Sequence, residues 1–407
     1  AFALSKGCEL RFPLCCPKAG AAFRLAAKTS GNPLDILRYN GCQRRSFCVK
    51  QRLRIAVPAL LPKKQGRQFA GGQPLSCCRN ITKAHFTQKG AFFMITILLA
   101  CYNGKEYLPA QLDSILTQNT QAAFSVLIRD DGSTDGSWEV LEDYAGRYPE
   151  RITLLPKTQP TGSAKGNFFA LLDAVGEKEL CRPGDYLMFS DQDDVWLPDK
   201  VERTLALMEQ TQGSPAVPAL VHGNLKVVDK DLKVLNPSFF AFQGISPQRC
   251  SLTNLLVQNC ITGCTMMINQ PLFALADKTP PECAMHDWWL GLLAACFGKI
   301  GYTIEPLMLY RQHGDNSVGA KDIRDLSFYT HKLSQKEQIQ KNYREMFAQA
   351  EFLCREYEDK LSDQQKEILQ AWYTIPKLGR FGKARRILKY GFTKNTWLRT
   401  LGQFFSI

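Results

Sequence analysis

Three carboxylates crowd into four residues at Asp191-Gln192-Asp193-Asp194, directly after the apolar run Tyr186–Phe189 and before Val195-Trp196. Like charges at that spacing repel one another, and beside a buried strand they cost stability unless something positive neutralises them. A divalent cation bound through one or two carboxylates and substrate phosphates does this. The alternative, a solvated acidic loop, fits poorly beside a buried strand and Trp196. The stretch Asp130-Asp131-Gly132-Ser133-Thr134-Asp135-Gly136 puts more carboxylates into a glycine–serine turn, where they can accept hydrogen bonds from a base or ribose. Alone, it is also an ordinary turn and helix-cap pattern. Cys101-Tyr102-Asn103-Gly104 adds an aromatic able to stack on a base. Two such loops on neighbouring strands favour a nucleotide site. Asp287, in His286-Asp287-Trp288-Trp289, reads equally as a general base or as a charge satisfying free amides at a helix start. His313, in Tyr310-Arg311-Gln312-His313-Gly314-Asp315-Asn316, is a metal or phosphate ligand or a solvated loop histidine.

These groups need elements that hold them. Ile95–Ala100, Ser125–Arg129, Ile152–Leu155 and Asp185–Ser190 read as strands. Tyr107–Thr117, with Pro109 tolerated in its first turn, Ser137–Arg147 and Ala164–Ala174 read as helices between them. That alternation predicts βαβ units and a parallel sheet, with ligands beyond the C-terminal strand ends, where the polar motifs lie. Beyond Asp199 the order is mixed. A helix to about Gln212 precedes strands at Leu220–Val228 and Thr265–Ile268, a helix near Asp287–Phe297 and a strand near Ile300–Ile304. From about Ile323 the chain reads as helical and charged, and Gly379–Ile407 interleaves basic residues with Leu, Phe and Trp.

A chain of 407 residues holds one large α/β domain with extensions, or two domains. Its net charge of +13 is unevenly placed. Of its 51 Lys and Arg and 38 Asp and Glu, 17 and 2 precede Met94, a balance of +15 that leaves −2 for the rest. The part that looks folded is nearly neutral, which argues against nucleic acid as a partner. Residues 1–93 show no helical or strand periodicity and read as a disordered or non-native extension. Seven of the 15 cysteines lie there; the other eight are scattered singly, with no CxxC pair and no His/Cys spacing suited to zinc, as in a reducing cytoplasm. No run of 18 apolar residues suggests a transmembrane helix.

Taken in order, Cys101-Tyr102-Asn103, Asp130-Asp131-Gly132-Ser133, Asp191-Gln192-Asp193-Asp194, Gly263-Cys264-Thr265, His286-Asp287-Trp288 and Tyr310-Arg311-Gln312-His313 resemble glycosyltransferase family 2. The likeness covers about Met94 to Gly319 and is nearest the bacterial rhamnosyltransferase-like branch. It implies a GT-A fold, a Rossmann-like, mainly parallel mixed sheet flanked by helices. The organisation expected is an extension at 1–93, a catalytic domain at 94–319 and a helical C-terminal extension at 320–407. By resemblance, Tyr102, Asn103, Asp130 and Asp131 hold base and ribose, Asp191 faces the ribose, and Lys165 reaches phosphate. Asp193, with His313 as a second ligand, holds Mg²⁺ or Mn²⁺, and Asp287 is the base. The implied function is an inverting transferase moving a sugar, with rhamnose suggested by the branch alone, from a dTDP- or UDP-linked donor. The acceptor is a saccharide or lipid-linked, in cell-surface polysaccharide or glycolipid synthesis, and the expected location is cytoplasmic or peripheral at the inner face of the membrane. The processive synthases' Gln-x-x-Arg-Trp motif is absent, which points to single additions. The competing readings are a non-catalytic nucleotide-sugar binding module of an assembly complex and a nucleotidyltransferase. The latter lacks a glycine-rich loop at Cys101–Gly104.

Overall fold

The computed structural model describes residues 85–86, 92–313 and 336–407. The basic extension expected at 1–93 lies outside the described residues except at its end, as do Gly314, Asp315, Asn316 and the start of the expected C-terminal extension. A two-residue pair, β1 (His85–Phe86) and β2 (Phe92–Phe93), precedes the first long strand. Phe93 is buried edge-on against Tyr186, with ring centroids 5.5 Å apart. Two residues are too few to show the period-2 alternation by which strands are read.

β3 (Ile95–Cys101), β4 (Phe124–Asp130), β5 (Ile152–Leu154) and β6 (Tyr186–Ser190) form four parallel strands in the order β5-β4-β3-β6. They are joined by α1 (Leu108–Leu116), α2 (Ser137–Arg147) and α3 (Ala164–Glu177). β3 is apolar at nearly every position because both faces are covered. Ile95, Ile97, Leu99 and Cys101 join the core shared with α1, α2 and α4 (Lys200–Gln212), whereas Leu98 and Ala100 join the core shared with α3 and α8 (His286–Phe297).

The sheet continues through β10 (Met267–Asn269), which runs antiparallel between β6 and β8 (Ala219–Val228). β8 lies parallel to β11 (Lys299–Arg311), whose far edge takes the two-residue β7 (Val195–Trp196); β9 (Val234–Asn236) pairs with β8. This is the mixed, mainly parallel sheet expected. The major difference is β11, which runs seven residues beyond Ile304 to Arg311. Pro306 lies between two register shifts in the β8–β11 ladder, a bulged region where its missing N–H is tolerated. The proline made the strand look finished. Short helices at Phe239–Gln243 (α5), Leu252–Leu255 (α6) and Gln270–Leu275 (α7) carry too few residues for a readable period.

The C-terminal helices α9 (Lys336–Glu356), α10 (Asp363–Tyr373), α11 (Arg380–Tyr390) and α12 (Trp397–Ser406) add to the α3–α8 core. Trp372 is fully buried between Phe347 and Phe392, each ring 5.0 Å away. Tyr357 Oη donates to the Leu275 carbonyl at 2.5 Å, and Gln365 Nε2 to the Cys296 carbonyl at 2.6 Å. The helical extension is therefore packed into the core that supports α8. Among the described residues no helix is long and apolar enough to cross a membrane.

The start of β11 depends on one glycine. A Cβ added at Gly298 meets the Pro218 carbonyl oxygen at 2.0 Å, and backbone cannot swing aside as a side chain does. Lys299 pairs with Ala219 immediately afterwards, so the register of β11 begins there. Gly298→Ala is expected to destabilise the protein by about 1–3 kcal/mol through overpacking. Urea denaturation checks this; an unchanged midpoint would show that the turn relaxes freely.

Candidate active site

The parallel strands end together, and their loops surround a cavity of about 430 Å³ lined by Tyr102, Asp131, Asp191, Asp193, Ser163 and Tyr310, among others. Tyr102 is 56% exposed at its mouth, as a stacking ring must be before a ligand arrives. Opposite it, Asp131 accepts hydrogen bonds from Arg129 Nη1 at 2.6 Å, the Thr161 amide at 2.7 Å, Thr161 Oγ1 at 2.9 Å and the Gly162 amide at 3.0 Å. Burial works against its charge, but the Thr161 amide and Arg129 outweigh burial and hold the carboxyl below its usual range. Arg129 also donates to Asn167, whose own amide binds the Cys101 carbonyl, so Asp131 is fixed from several elements.

Not every candidate faces the cavity. Asp130 accepts from the Gly132 and Ser133 amides and from Ser133 Oγ, closing the turn itself. Asn103 adopts the left-handed conformation at φ 49°, which asparagine tolerates. Its Oδ1 accepts from the Thr134 amide at 2.9 Å and its amide donates to Ser133 Oγ, tying the β3 loop to the β4 loop. Lys165 Nζ donates to the Cys283 carbonyl at 2.5 Å, linking the start of α3 to the approach to α8. None of the three lines the cavity; their bonds hold the surrounding loops in place.

The acidic loop is held from both sides. Gln192 packs so close to Gly104 that an added Cβ there would lie 2.4 Å from Gln192 Cγ, and Gln192 Nε2 donates to the Tyr102 carbonyl. On the other side, β7 zips onto β11, with Trp196 opposite Met308. The extended β11 thereby delivers Arg311 and His313 to the loop. Arg311 Nε donates to the Asp193 carbonyl at 2.9 Å, its amide donates to Asp194 Oδ1 at 3.1 Å, and its Nη1 binds the Lys230 carbonyl. Its guanidinium lies over Tyr107, 4.7 Å from the ring centre. His313 Nε2 meets Asp193 Oδ2 at 2.8 Å, and its ring packs on Tyr107.

Burial, then Asp193 and Asp287, push Asp191 up to about 7. Asp194 is fully buried and held well above the usual carboxylate range by burial and its two neighbours, and its Oδ2 has no hydrogen-bond partner. The Cys264 thiol lies between Asp191 and Asp194, their ligand atoms all within 4.8 Å. Lys200, also buried, sits 4.6 Å from the Trp196 ring centre; burial brings its ammonium down to about 8 against the pull of Cys264 and Asp194. The arrangement crowds acidic groups, held toward their protonated forms, around one nearly buried carboxylate–imidazole pair. Oxygen and imidazole donors so placed suit a small divalent cation, and the orphaned Asp194 oxygen marks a cluster short of positive charge.

Asp287 lies in the first turn of α8. Its Oδ1 accepts from the Trp288 amide at 2.6 Å. Burial pushes it up to about 7, against hydrogen bonds from the Trp288 and Gly263 amides and the Asn259 side chain. The Gly263-Cys264-Thr265 segment packs against it; a Cβ on Gly263 would lie 2.9 Å from His286 Nε2. His286 is stacked 4.0 Å from Phe168 and burial brings it down to about 3, so its ring stays neutral.

This geometry agrees with the comparisons. The model of "Glycosyl transferase family 2" matches residues 96–273. The dTDP-rhamnosyl transferase RfbG of Shigella flexneri is 30% identical over 234 residues, covering 54% of this chain and 74% of that protein. The chain belongs to glycosyltransferase family 2. An Escherichia coli relative, the UDP-Glc:alpha-D-GlcNAc-diphosphoundecaprenol beta-1,3-glucosyltransferase WfgD, is 26% identical over 202 residues, or 49% of this chain and 69% of that protein. Among solved structures, the mannosyltransferase PcManGT from Pyrobaculum calidifontis in complex with GDP-Man and Mn²⁺ matches at 14% identity and a TM-score of 0.44, covering 76% of this chain and 79% of that one. The family 2 chain is thus a nucleotide-sugar-dependent glycosyltransferase, which displaces the nucleotidyltransferase and binding-module readings.

Arg311, in Tyr310-Arg311-Gln312-His313, is the last residue of β11. Its part could not be read without knowing that β11 extends to it. Arg311→Lys keeps the charge but loses the planar fork that grips two carbonyls. It is expected to weaken Mn²⁺-dependent binding of a nucleoside diphosphate by roughly 10–100-fold, the usual effect of losing an outer support of a metal ligand. Calorimetry with Mn²⁺ and the nucleoside diphosphate measures this, and unchanged affinity would show that the loop is held without Arg311.

Proposed function

We propose that residues 94–319 catalyse sugar transfer with inversion, and that the donor is a dTDP- or UDP-linked sugar. The observation that carries this reading is the convergence of Tyr102, Asp131, Asp191 and Asp193 on one cavity, with the raised Asp287 carboxyl close enough to be felt by Asp191. Tyr102 stacks on the base, while Asp131, with its loop held by Asp130 and Asn103, receives the base or ribose. Asp191 faces the ribose. Asp193 and His313 would hold Mg²⁺ or Mn²⁺, whose charge counters that building on the diphosphate. Lys165 braces the start of α3 against the approach to α8 through the Cys283 carbonyl.

In the reaction, an acceptor hydroxyl oxygen attacks the anomeric carbon from the face opposite the diphosphate. The bond from that carbon to the phosphate oxygen breaks, its electron pair leaves with the nucleoside diphosphate, and Asp287 takes the hydroxyl proton. A single displacement inverts the anomeric centre. Rhamnose as the sugar is supported by the name of the Shigella flexneri relative, and a lipid-diphosphate-linked glycan as acceptor by the name of the Escherichia coli one. Screening the full chain, and the protein from Met94 onward, against dTDP- and UDP-sugars with and without Mn²⁺ tests the reading. Metal-independent hydrolysis of every donor alike would count against it.

Asp193 and Asp287 are expected to fail differently. Asp193→Ala loses Mn²⁺-dependent nucleoside diphosphate binding and transfer together. Asp287→Asn keeps donor binding, while transfer falls roughly 10²–10⁴-fold. A base works only when ionised, so with its pKa raised to about 7, transfer by the native enzyme falls as pH drops through that value; a bound cation moves the limb lower. A pH profile of transfer whose acid limb survives Asp287→Asn would place the base elsewhere.

The C-terminal helices are proposed to rest on an anionic membrane surface near a lipid-linked acceptor. Phe381 is 94%, Trp397 73% and Phe405 84% exposed, with Leu388, Leu398 and Leu401 also in the open beside Arg and Lys side chains. Exposed aromatics among cations fit the interface of anionic lipid, although Ile387 and Phe392 are buried in the core. The protein is expected to float with vesicles containing phosphatidylglycerol. Replacing Phe381, Trp397 and Phe405 by Ser should abolish flotation without lowering the thermal midpoint; persistent flotation would remove the assignment.

A further inference from the structure

Outside the donor cavity, His222 on β8 meets Cys250 and Cys260, which flank α6. Cys250 Sγ lies 2.9 Å from Cys260 Sγ and 3.7 Å from His222 Nε2, and it donates to the Pro247 carbonyl at 2.8 Å. His222 and Cys260 are buried, and Cys250 is half-buried. Two sulfurs at 2.9 Å are closer than thiols pack side by side, and a bond would draw them about 0.9 Å closer still. A cation is the other occupant three such ligands suggest. Against it, the second ring nitrogen of His222, Nδ1, is buried without a partner, whereas a metal-bound histidine almost always donates from its other nitrogen.

We propose that Cys250 and Cys260 are a reversible disulfide site, oxidised by a low-molecular-weight disulfide, whose bond misplaces the acceptor side of the active site. The half-buried Cys250 is the attacking sulfur. Hydrogen bonding from Cys260 outweighs burial and, with His222, brings the Cys250 thiol down to about 6, whereas Cys260 is pushed up. The Cys250 thiolate attacks one sulfur of the oxidant and expels a thiolate, forming a mixed disulfide. Cys260 then loses its proton and attacks the Cys250 sulfur, expelling the second thiolate. The two expelled thiolates take up the two protons lost from the cysteines, so two protein thiols and one small disulfide give one protein disulfide and two small thiols.

The effect on transfer rests on the reading of Asp287 as the base. The segment between the cysteines carries α6, whose Leu255 carbonyl accepts from Trp288 Nε1 at 2.5 Å, and Asn259, whose side chain bonds Asp287. Asp287 is close enough to raise Cys260. Drawing the sulfurs to bonding distance pulls on both supports of the α8 start, while Asp193 and His313 lie on other elements.

The full chain, purified reduced, is incubated with oxidised glutathione. Expected are the loss of two thiols, a non-reducing peptide map joining Cys250 to Cys260, and a fall in transfer of roughly 10²-fold, the scale of a 1 Å misplacement. Binding of the nucleoside diphosphate with Mn²⁺ stays unchanged, and dithiothreitol restores transfer. Cys250→Ser and Cys260→Ala should each resist the oxidant, with circular dichroism reporting that they fold. The proposal is overturned if no joined peptide forms, if one equivalent of Zn²⁺ co-purifies and shields both thiols, or if the disulfide forms and transfer is unaffected. Wild-type transfer by the reduced Asp287→Asn variant would instead remove the base assignment, leaving the joined peptide as a separate result.

Discussion

Asp191, Asp193 and Asp194 stand at the end of a strand buried on both faces, where each ionised carboxylate raises the cost of the next. The rest of the site is arranged around that constraint. Lys200 is buried nearby, the Cys264 thiol lies between two of the acids, and the Arg311 amide binds Asp194. Asp194 still keeps an oxygen without a partner. The folded chain therefore holds Asp191 and Asp194 toward their protonated forms, and a cation bound there would displace protons, coupling its binding to the order of the loop.

The position of that loop is set by strand pairing. β7 follows the acidic residues directly and pairs with β11, so Asp193 and His313, 120 residues apart, meet at 2.8 Å. Arg311 fixes the same junction through two carbonyls and the face of Tyr107. Ladder hydrogen bonds place these side chains more sharply than a free loop could, as the proposed metal site would require.

The acceptor side is supported differently. Asp287 depends on the start of α8, and α8 lies in the core that the C-terminal helices complete. Gly263 must stay small because His286 and Asp287 press against it. The helical extension packs around Trp372 and leaves Phe381, Trp397 and Phe405 exposed.

The sequence by itself determined the parallel half of the sheet, because strands buried on both faces are continuous apolar runs and their helices have a clear period. Ile95–Cys101 and Ser137–Arg147 were legible nearly to the residue. It also determined the chemical types at the site, since three carboxylates beside a buried strand permit few explanations. What only the tertiary structure decided is which of those groups face the cavity. Asp130 and Asn103 look as ready for a ligand as Asp131 and Tyr102, yet Asp130 closes its own turn and Asn103, at a left-handed φ, bonds partners about thirty residues away. The length of β11 was hidden by Pro306, because a proline reads as a stop unless a bulge is known to absorb it. The meeting of His222, Cys250 and Cys260 had no signature at all. Contacts made by folding leave no spacing in the chain, so only packing could bring an imidazole on one strand to two thiols flanking a short helix.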